Sequence, residues 1–199
     1  MCGRYALTSS PALLRARFGY DETPDFPPRN NILPTEPIAI VASRPFTSGR
    51  ERHFRLVRWG FLPGFVKDVA SFPLIVNARA EGVLEKASFA PAFKRRRCLV
   101  PADAFYTGRS GKSARVEAAD GAPFGLAALY ETYFDANGGE IDTACILTTS
   151  ANALLSPFGD RMPVVIADVS AWLDNEETPL GAAQAMLRPA AEGLLRLRP

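Results

Sequence analysis

The chain has 199 residues, 47% of them hydrophobic and 22% charged, with 15 glycines and 17 prolines. That is an ordinary globular composition, and it excludes disordered, collagen-like and coiled-coil classes. The formal charge is only +2, yet residues 1–130 carry a balance of +8 and residues 131–199 one of −6. The asymmetry points to an anionic partner for part of the surface, unless it merely reflects a compositional bias. Nineteen of the 23 basic residues are arginine, the side chain suited to bidentate phosphate contacts and to stacking on bases. No apolar run approaches the ~20 residues needed to cross a bilayer. The start Met-Cys-Gly-Arg-Tyr has no apolar h-region, so a cytoplasmic protein with no membrane partner is expected. Cys2, Cys98 and Cys145 are widely spaced with no CxxC, which argues against disulfides and against a cysteine metal site.

In chain order, Ser10-Pro11 opens a short helix that should end near Gly19. Residues 24–37 carry five prolines and read as an ordered, irregular loop. Ile38–Ala42, Phe54–Trp59 and Leu74–Ala78 are rich in β-branched and aromatic residues and read as strands. Ser88 is placed to cap a helix running to about Arg97, with Cys98–Val100 a short strand after it. Ala114–Ala118, Leu126–Tyr133, Cys145–Thr149 and Met162–Ala167 are further strands, with a hairpin turn at Asn137-Gly138-Gly139. Asp168 and Thr178-Pro179 start two C-terminal helices. Strands outnumber helices long enough to be crossovers. The expected class is therefore α+β: a single domain over 1–199 with a mainly antiparallel, barrel-like core and short flanking helices. Neither GxGxxG nor GxxxxGK[ST] occurs, so no nucleotide cofactor is expected.

The most informative residue is Cys2. Initiator Met is commonly trimmed before a small second residue, which would leave Cys2 as the N-terminus. A terminal cysteine carries an amine and a thiol on adjacent carbons. The amine, with an ordinary pKa of about 7.7–8.0, is partly neutral at pH 7 and attacks an aldehyde to give an imine. The thiol then closes on the imine carbon as a five-membered thiazolidine, favoured because closure is intramolecular. Arg4 would help keep that amine neutral and could hold a phosphate beside it. The same Cys-Gly start also suits the nucleophile of an N-terminal amidohydrolase, and residue 2 alone does not separate the two.

Several further segments occur in order: Pro28-Arg29-Asn30-Asn31-Ile32-Leu33-Pro34-Thr35, Arg58-Trp59-Gly60-Phe61-Leu62-Pro63, and Asn77-Ala78-Arg79-Ala80-Glu81. They are followed by Ser88-Phe89, then Arg95-Arg96-Arg97 through Asp103, Thr148-Thr149-Ser150-Ala151-Asn152, and Asp160-Arg161-Met162-Pro163-Val164. With Cys2-Gly3-Arg4-Tyr5 they resemble the SOS-response-associated peptidase (SRAP) family of abasic-site-processing proteins, over roughly residues 2–173. The resemblance implies a barrel-like fold with flanking helices, loss of Met1, and binding of single-stranded DNA containing abasic sites. It implies covalent capture of the ring-opened aldehyde as a thiazolidine on Cys2, without a cofactor and by a monomer. A nucleoid or replication-associated location would follow. By the same resemblance Asn77 positions the crosslink through its neutral amide, Arg4 and Arg79 contact phosphates, and Arg161 is a further candidate. Phe65 stands where an aromatic side chain wedges beside the lesion.

Two positions depart from the family pattern. After Pro101-Ala102-Asp103 the family's catalytic glutamate is replaced by Thr107, and before Asp160 its histidine is replaced by Gly159. Neither replacement can shuttle a proton near pH 7. Crosslinking, which needs chiefly the aminothiol and bound DNA, is expected to outlast strand cleavage, self-processing and crosslink reversal. The alternative is a single-stranded-DNA-binding module with catalysis lost. Asp103, Glu131 or Asp160 could stand in for the glutamate if the fold brings one to Cys2. Other residues read as structural: Trp59 as core, Arg95-Arg96-Arg97 as a solvated or helix-capping run, His53 as a surface strand residue, Cys98 and Cys145 as inert core thiols. An alternative for Arg161 is an ion pair with neighbouring Asp160.

Overall fold

The structure, a computed structural model, describes residues 3–22, 24–43, 51–109, 112–135 and 137–198, with Arg109 and Lys112 described by backbone alone. The strands are β1 (Tyr5–Leu7), β2 (Arg29–Ile32), β3 (Pro37–Ser43), β4 (Arg52–Trp59), β5 (Asn77–Arg79), β6 (Arg97–Ala102), β7 (Ala104–Arg109), β8 (Lys112–Ala118), β9 (Phe124–Phe134), β10 (Glu140–Ser150), β11 (Arg161–Pro163), β12 (Val165–Ile166) and β13 (Leu195–Arg198). The helices are α1 (Pro11–Phe18), α2 (Ala90–Arg95), α3 (Val169–Leu173) and α4 (Leu180–Ala185).

The fold is mostly β, as the pattern of short β-branched runs predicted. Strands β10, β4, β3, β6 and β9 form a closed five-stranded barrel. Four of its pairings are antiparallel. The fifth is parallel, Thr143 opposite Arg58 and Ala144 opposite Trp59, and it closes the ring so that the barrel strands have no shared open edge. Strands β9 and β10 meet through the predicted glycine turn: Gly138 takes φ +84°, and the Asp135 carboxylate accepts the Asn137 and Gly139 N–H groups at 2.7 and 2.8 Å. A second, antiparallel sheet of order β13-β8-β7-β1-β2 lies against the barrel through β1 and β6. Trp59, Phe61, Phe93, Phe105 and Trp172 are fully buried in the core. Cys98 and Cys145 are buried with them, and burial pushes both thiols well above the ordinary range, which keeps them unreactive. Among the described residues no helix is long and apolar enough to cross a membrane.

The N-terminal helix follows its signals closely. Ser10 accepts the Leu13 N–H at 3.3 Å, Pro11 sits in the first turn, and Gly19 closes the helix at φ +68°. Other boundaries differ from expectation. The proline-rich stretch contains strand β2, formed by pairing with β1 rather than by its own propensity. The strand expected at Leu74–Ala78 begins at Asn77, preceded by a single bridge from Ile75 to Phe61. That expected at Met162–Ala167 is two strands, β11 and β12, and α2 spans only Ala90–Arg95 with no side-chain cap from Ser88.

The largest correction concerns the arginine run. Arg97 is not solvated; it is fully buried and points inward from β6. Its Nε donates to the Trp172 carbonyl at 2.9 Å, and its two terminal nitrogens donate to the carbonyls of Phe93 and Asp174. Its guanidinium carbon lies 5.8 Å from the Phe93 ring centroid and 5.6 Å from that of Trp172. Burial lowers its pKa to about 10, so it remains charged at neutral pH. One side chain thus ties α2, β6 and α3 together. Arg97→Ala leaves three carbonyls short of a donor and opens a large cavity, and should cost about 3–5 kcal/mol. Urea unfolding checks this; a loss under about 1 kcal/mol would contradict the clamp. Arg96 instead forms an ion pair with Glu131.

Candidate active site

Three of the segments that carry the sequence resemblance, those holding Ile32, Trp59 and Asp103, meet β1 or the residues just after it. On one side, Tyr5 pairs with Ile32 of β2. On the other, Tyr5 faces Phe105 and Ala6 faces Ala104 of β7, and the Tyr106 N–H donates to the Arg4 carbonyl at 3.0 Å. Beyond β2 the chain turns at Thr35, whose positive φ of 76° allows its N–H to reach the Trp59 carbonyl at 2.8 Å. The Tyr5 and Trp59 rings meet edge to face at 5.5 Å. The Trp59 indole N–H donates to the Val76 carbonyl at 3.0 Å. A continuous chain of contacts therefore runs from the N-terminal strand through Tyr5 and Trp59 to the residue before Asn77. The expectation that Trp59 is core holds, and it orders the approach to the site as well.

Asn77 and Arg79 lie on β5, and Glu81 follows in a 3-10 turn over Ala80–Gly82. Asn77 pairs with Ile146 and Arg79 with Thr148 on β10; Asn77 is half-buried and Arg79 exposed. Across β10, Arg161 opens β11 opposite Ser150. Its guanidinium forms a bidentate pair with Glu81, at 2.6 and 2.8 Å, and a further bond to the Thr148 carbonyl. Glu81, not Asp160, is thus the partner of Arg161. The Arg161 side chain holds the Glu81 carboxyl below the ordinary glutamate range. A depressed folded-state pKa means the contribution is present above pH ~4.3 and is lost as pH falls through the lowered value. NMR titration should show Glu81 returning to the ordinary range in Arg161→Gln; an unchanged midpoint would rule the pair out as the cause.

Thr107 lies on β7 and is only 7% exposed, on the same strand face as Phe105. The turn Ser156–Phe158 that precedes Gly159 packs against β7 and β8, so both departures from the family pattern fall at this end of the second sheet. A Cβ added at Gly159 meets nothing within 4 Å. Of the substitute carboxylates, Asp103 accepts four hydrogen bonds from the backbone and hydroxyls of Thr8 and Ser9. Glu131 is held by Arg96, and burial raises its pKa. Asp160 is exposed beside Gly159. Phe65 is 59% exposed, while its neighbours Leu62 and Val66 are buried against Tyr133, so the segment is anchored and the phenyl ring stands clear. Cys2 and Met1 lie outside the described residues. Tyr106 was not singled out from sequence: the Arg4 guanidinium carbon sits 3.9 Å from its ring centroid.

The SOS response associated peptidase (SRAP) family matches over residues 1–199. The chain belongs to that family. YoqW of Bacillus subtilis (strain 168) is 30% identical over 199 residues, covering 95% of this chain and 87% of its own length. YedK of Escherichia coli (strain K12) is 27% identical over 190 residues, covering 88% and 81%. HMCES of Gallus gallus is 27% identical over 236 residues, covering 96% and 70%. All three bear the name abasic site processing protein. A solved protein from Bordetella bronchiseptica matches at TM-score 0.81 and 28% identity, covering 98% of each chain. One from Bacteroides thetaiotaomicron matches at TM-score 0.85 and 20% identity, covering 98% and 90%, an agreement of fold.

Proposed function

We propose that this SRAP chain processes abasic sites in single-stranded DNA by covalent capture on Cys2. The observation that carries the reading is the meeting of three of the family's ordered segments at the strand that follows Cys2, with the residue before Asn77 tied to it through Tyr5 and Trp59. After loss of Met1, the Cys2 amine adds to the aldehyde carbon of the opened sugar, and the carbinolamine loses water to give an imine. Sγ then bonds to the imine carbon while the thiol proton passes to nitrogen, closing the thiazolidine. The net change is the loss of one water. The Asn77 amide donates to the sugar oxygen without competing for the proton. Arg4 and Arg79, both exposed, meet the flanking phosphates. Thr107 and Gly159 leave the slower proton-transfer steps, strand cleavage and crosslink reversal, without their usual groups.

The experiment is incubation of the full chain with abasic single-stranded DNA, read as a heat- and detergent-stable adduct, with noncovalent binding followed against salt. An adduct on abasic but not intact DNA is expected, with log K falling at a slope of about −2 against log[salt] for three neutralised phosphates. Salt-sensitive binding with no adduct would favour the catalytically lost binding module, and a flat response would reject binding through the DNA phosphates.

Phe65 supplies a separate check. A base stacked on the exposed ring is worth ~1–3 kcal/mol. Phe65→Ala should therefore weaken DNA binding by roughly 5- to 150-fold at an unchanged melting temperature. Unchanged affinity would remove Phe65 from the interface.

A further inference from the structure

The outer face of the second sheet carries a row of cations that starts at Arg4 and continues beyond the residues assigned to capture. Directly opposed residues in an antiparallel pair share a face. Arg4 adjoins Tyr106 on β7, Tyr106 is opposite Arg115 on β8, and Arg115 is opposite Arg198 on β13. One position along, Glu117 is opposite Arg196. The row crosses four strands, a span of about 14 Å, which suits the backbone of a few nucleotides.

The row is organised rather than scattered. The Arg115 guanidinium donates through Nε to Glu117 Oε1 and through a terminal nitrogen to the Tyr106 hydroxyl, each at 2.7 Å. The Tyr106 hydroxyl in turn donates to the Asn30 carbonyl at 3.0 Å. Arg198 reaches the same Glu117 oxygen at 3.2 Å, and Arg196 lies 3.8 Å from the other. Glu117 is the sole acid in strands β1, β7, β8 and β13, and three arginines, Arg115, Arg196 and Arg198, share its one carboxylate. Arg196 and Arg198 are also 55% and 63% exposed at the side chain, open to an incoming anion.

We propose that this Arg4–Tyr106–Arg115–Arg198 row, with Arg196, is a docking track for the sugar–phosphate backbone of single-stranded DNA flanking the captured site. The proposal rests on the reading of the chain as a single-stranded-DNA binder and extends it to the C-terminal strand. The partner is a phosphodiester chain rather than a single nucleotide, because the arginines are spread in a row across neighbouring strands. Glu117 fixes the guanidinium orientations and the exposed arginines take the phosphates.

The test is binding of fluorescent oligo-dT of about 4 and about 16 nucleotides, lacking abasic sites, at about 50 to 200 mM salt. Three proteins are compared: wild type, Arg196→Gln/Arg198→Gln, and the charge-retaining Arg196→Lys/Arg198→Lys. The glutamine variant should lose about 1.4 from the salt slope on the long oligonucleotide, about 0.7 per phosphate released. Its affinity there should fall on the order of 10-fold, with little change on the short one, and the lysine variant should keep the wild-type slope. A steep wild-type slope that the glutamine variant matches on the long oligonucleotide would overturn the track while leaving single-stranded-DNA binding in place. A flat wild-type response would overturn both.

Discussion

Cys2→Ala should abolish adduct formation with abasic single-stranded DNA and leave salt-dependent binding largely in place. Alanine at the terminus keeps the amine, so an imine can still form, but nothing closes the ring. An imine exposed to water reverts, whereas thiazolidine formation is intramolecular and benefits from an effective concentration far beyond any free thiol. The other two cysteines cannot compensate: Cys98 and Cys145 are fully buried, and their thiols are pushed up by burial, away from the reactive thiolate. Cys2→Ser separates the roles further, since a hydroxyl is a far weaker nucleophile at neutral pH. A heat-stable adduct persisting in Cys2→Ala would show that another group captures the aldehyde.

The second large effect concerns the two positions that depart from the family. Thr107→Glu with Gly159→His should raise strand cleavage and crosslink reversal by ~10²–10⁴-fold, the usual contribution of a placed general acid or base. Thr107 is nearly buried on β7, so a carboxyl there would be desolvated and its pKa raised toward neutrality, which suits an acid–base group. At Gly159 an added Cβ meets nothing within 4 Å, and the backbone has to relax from its φ of +159° to carry the imidazole. Rates on pre-formed crosslinks isolate reversal from capture. If the double substitution leaves both rates at the parental level, the residues around this end of β7 have been rearranged for another chemistry.

What the sequence revealed and what it hid follow from where the stabilising contacts come from. Strands β3, β4 and β9 were legible because their β-branched and aromatic residues serve a barrel interior. Strands β1, β2, β7 and β13 were not, because segments such as Arg29-Asn30-Asn31-Ile32 are strands only by pairing with distant partners. The arginine run misled for a related reason. Three consecutive cations look alike in a sequence, and only the arrival of α3, with the carbonyls of Trp172 and Asp174, selects Arg97 for burial. The site residues were named through the family segments, and the fold adds how β1 links to Asn77 through Tyr5 and Trp59. It also adds the partner of Arg161, whose neighbour in sequence, Asp160, faces solvent while Glu81 takes the guanidinium.

The intact mass of the mature protein, before and after mixing with an abasic single-stranded oligonucleotide, tests the central claim most directly. The account predicts a chain lacking Met1 that gains the mass of the oligonucleotide less one water. A chain that retains Met1, or one that lacks it and gains no mass, would contradict capture by a terminal cysteine.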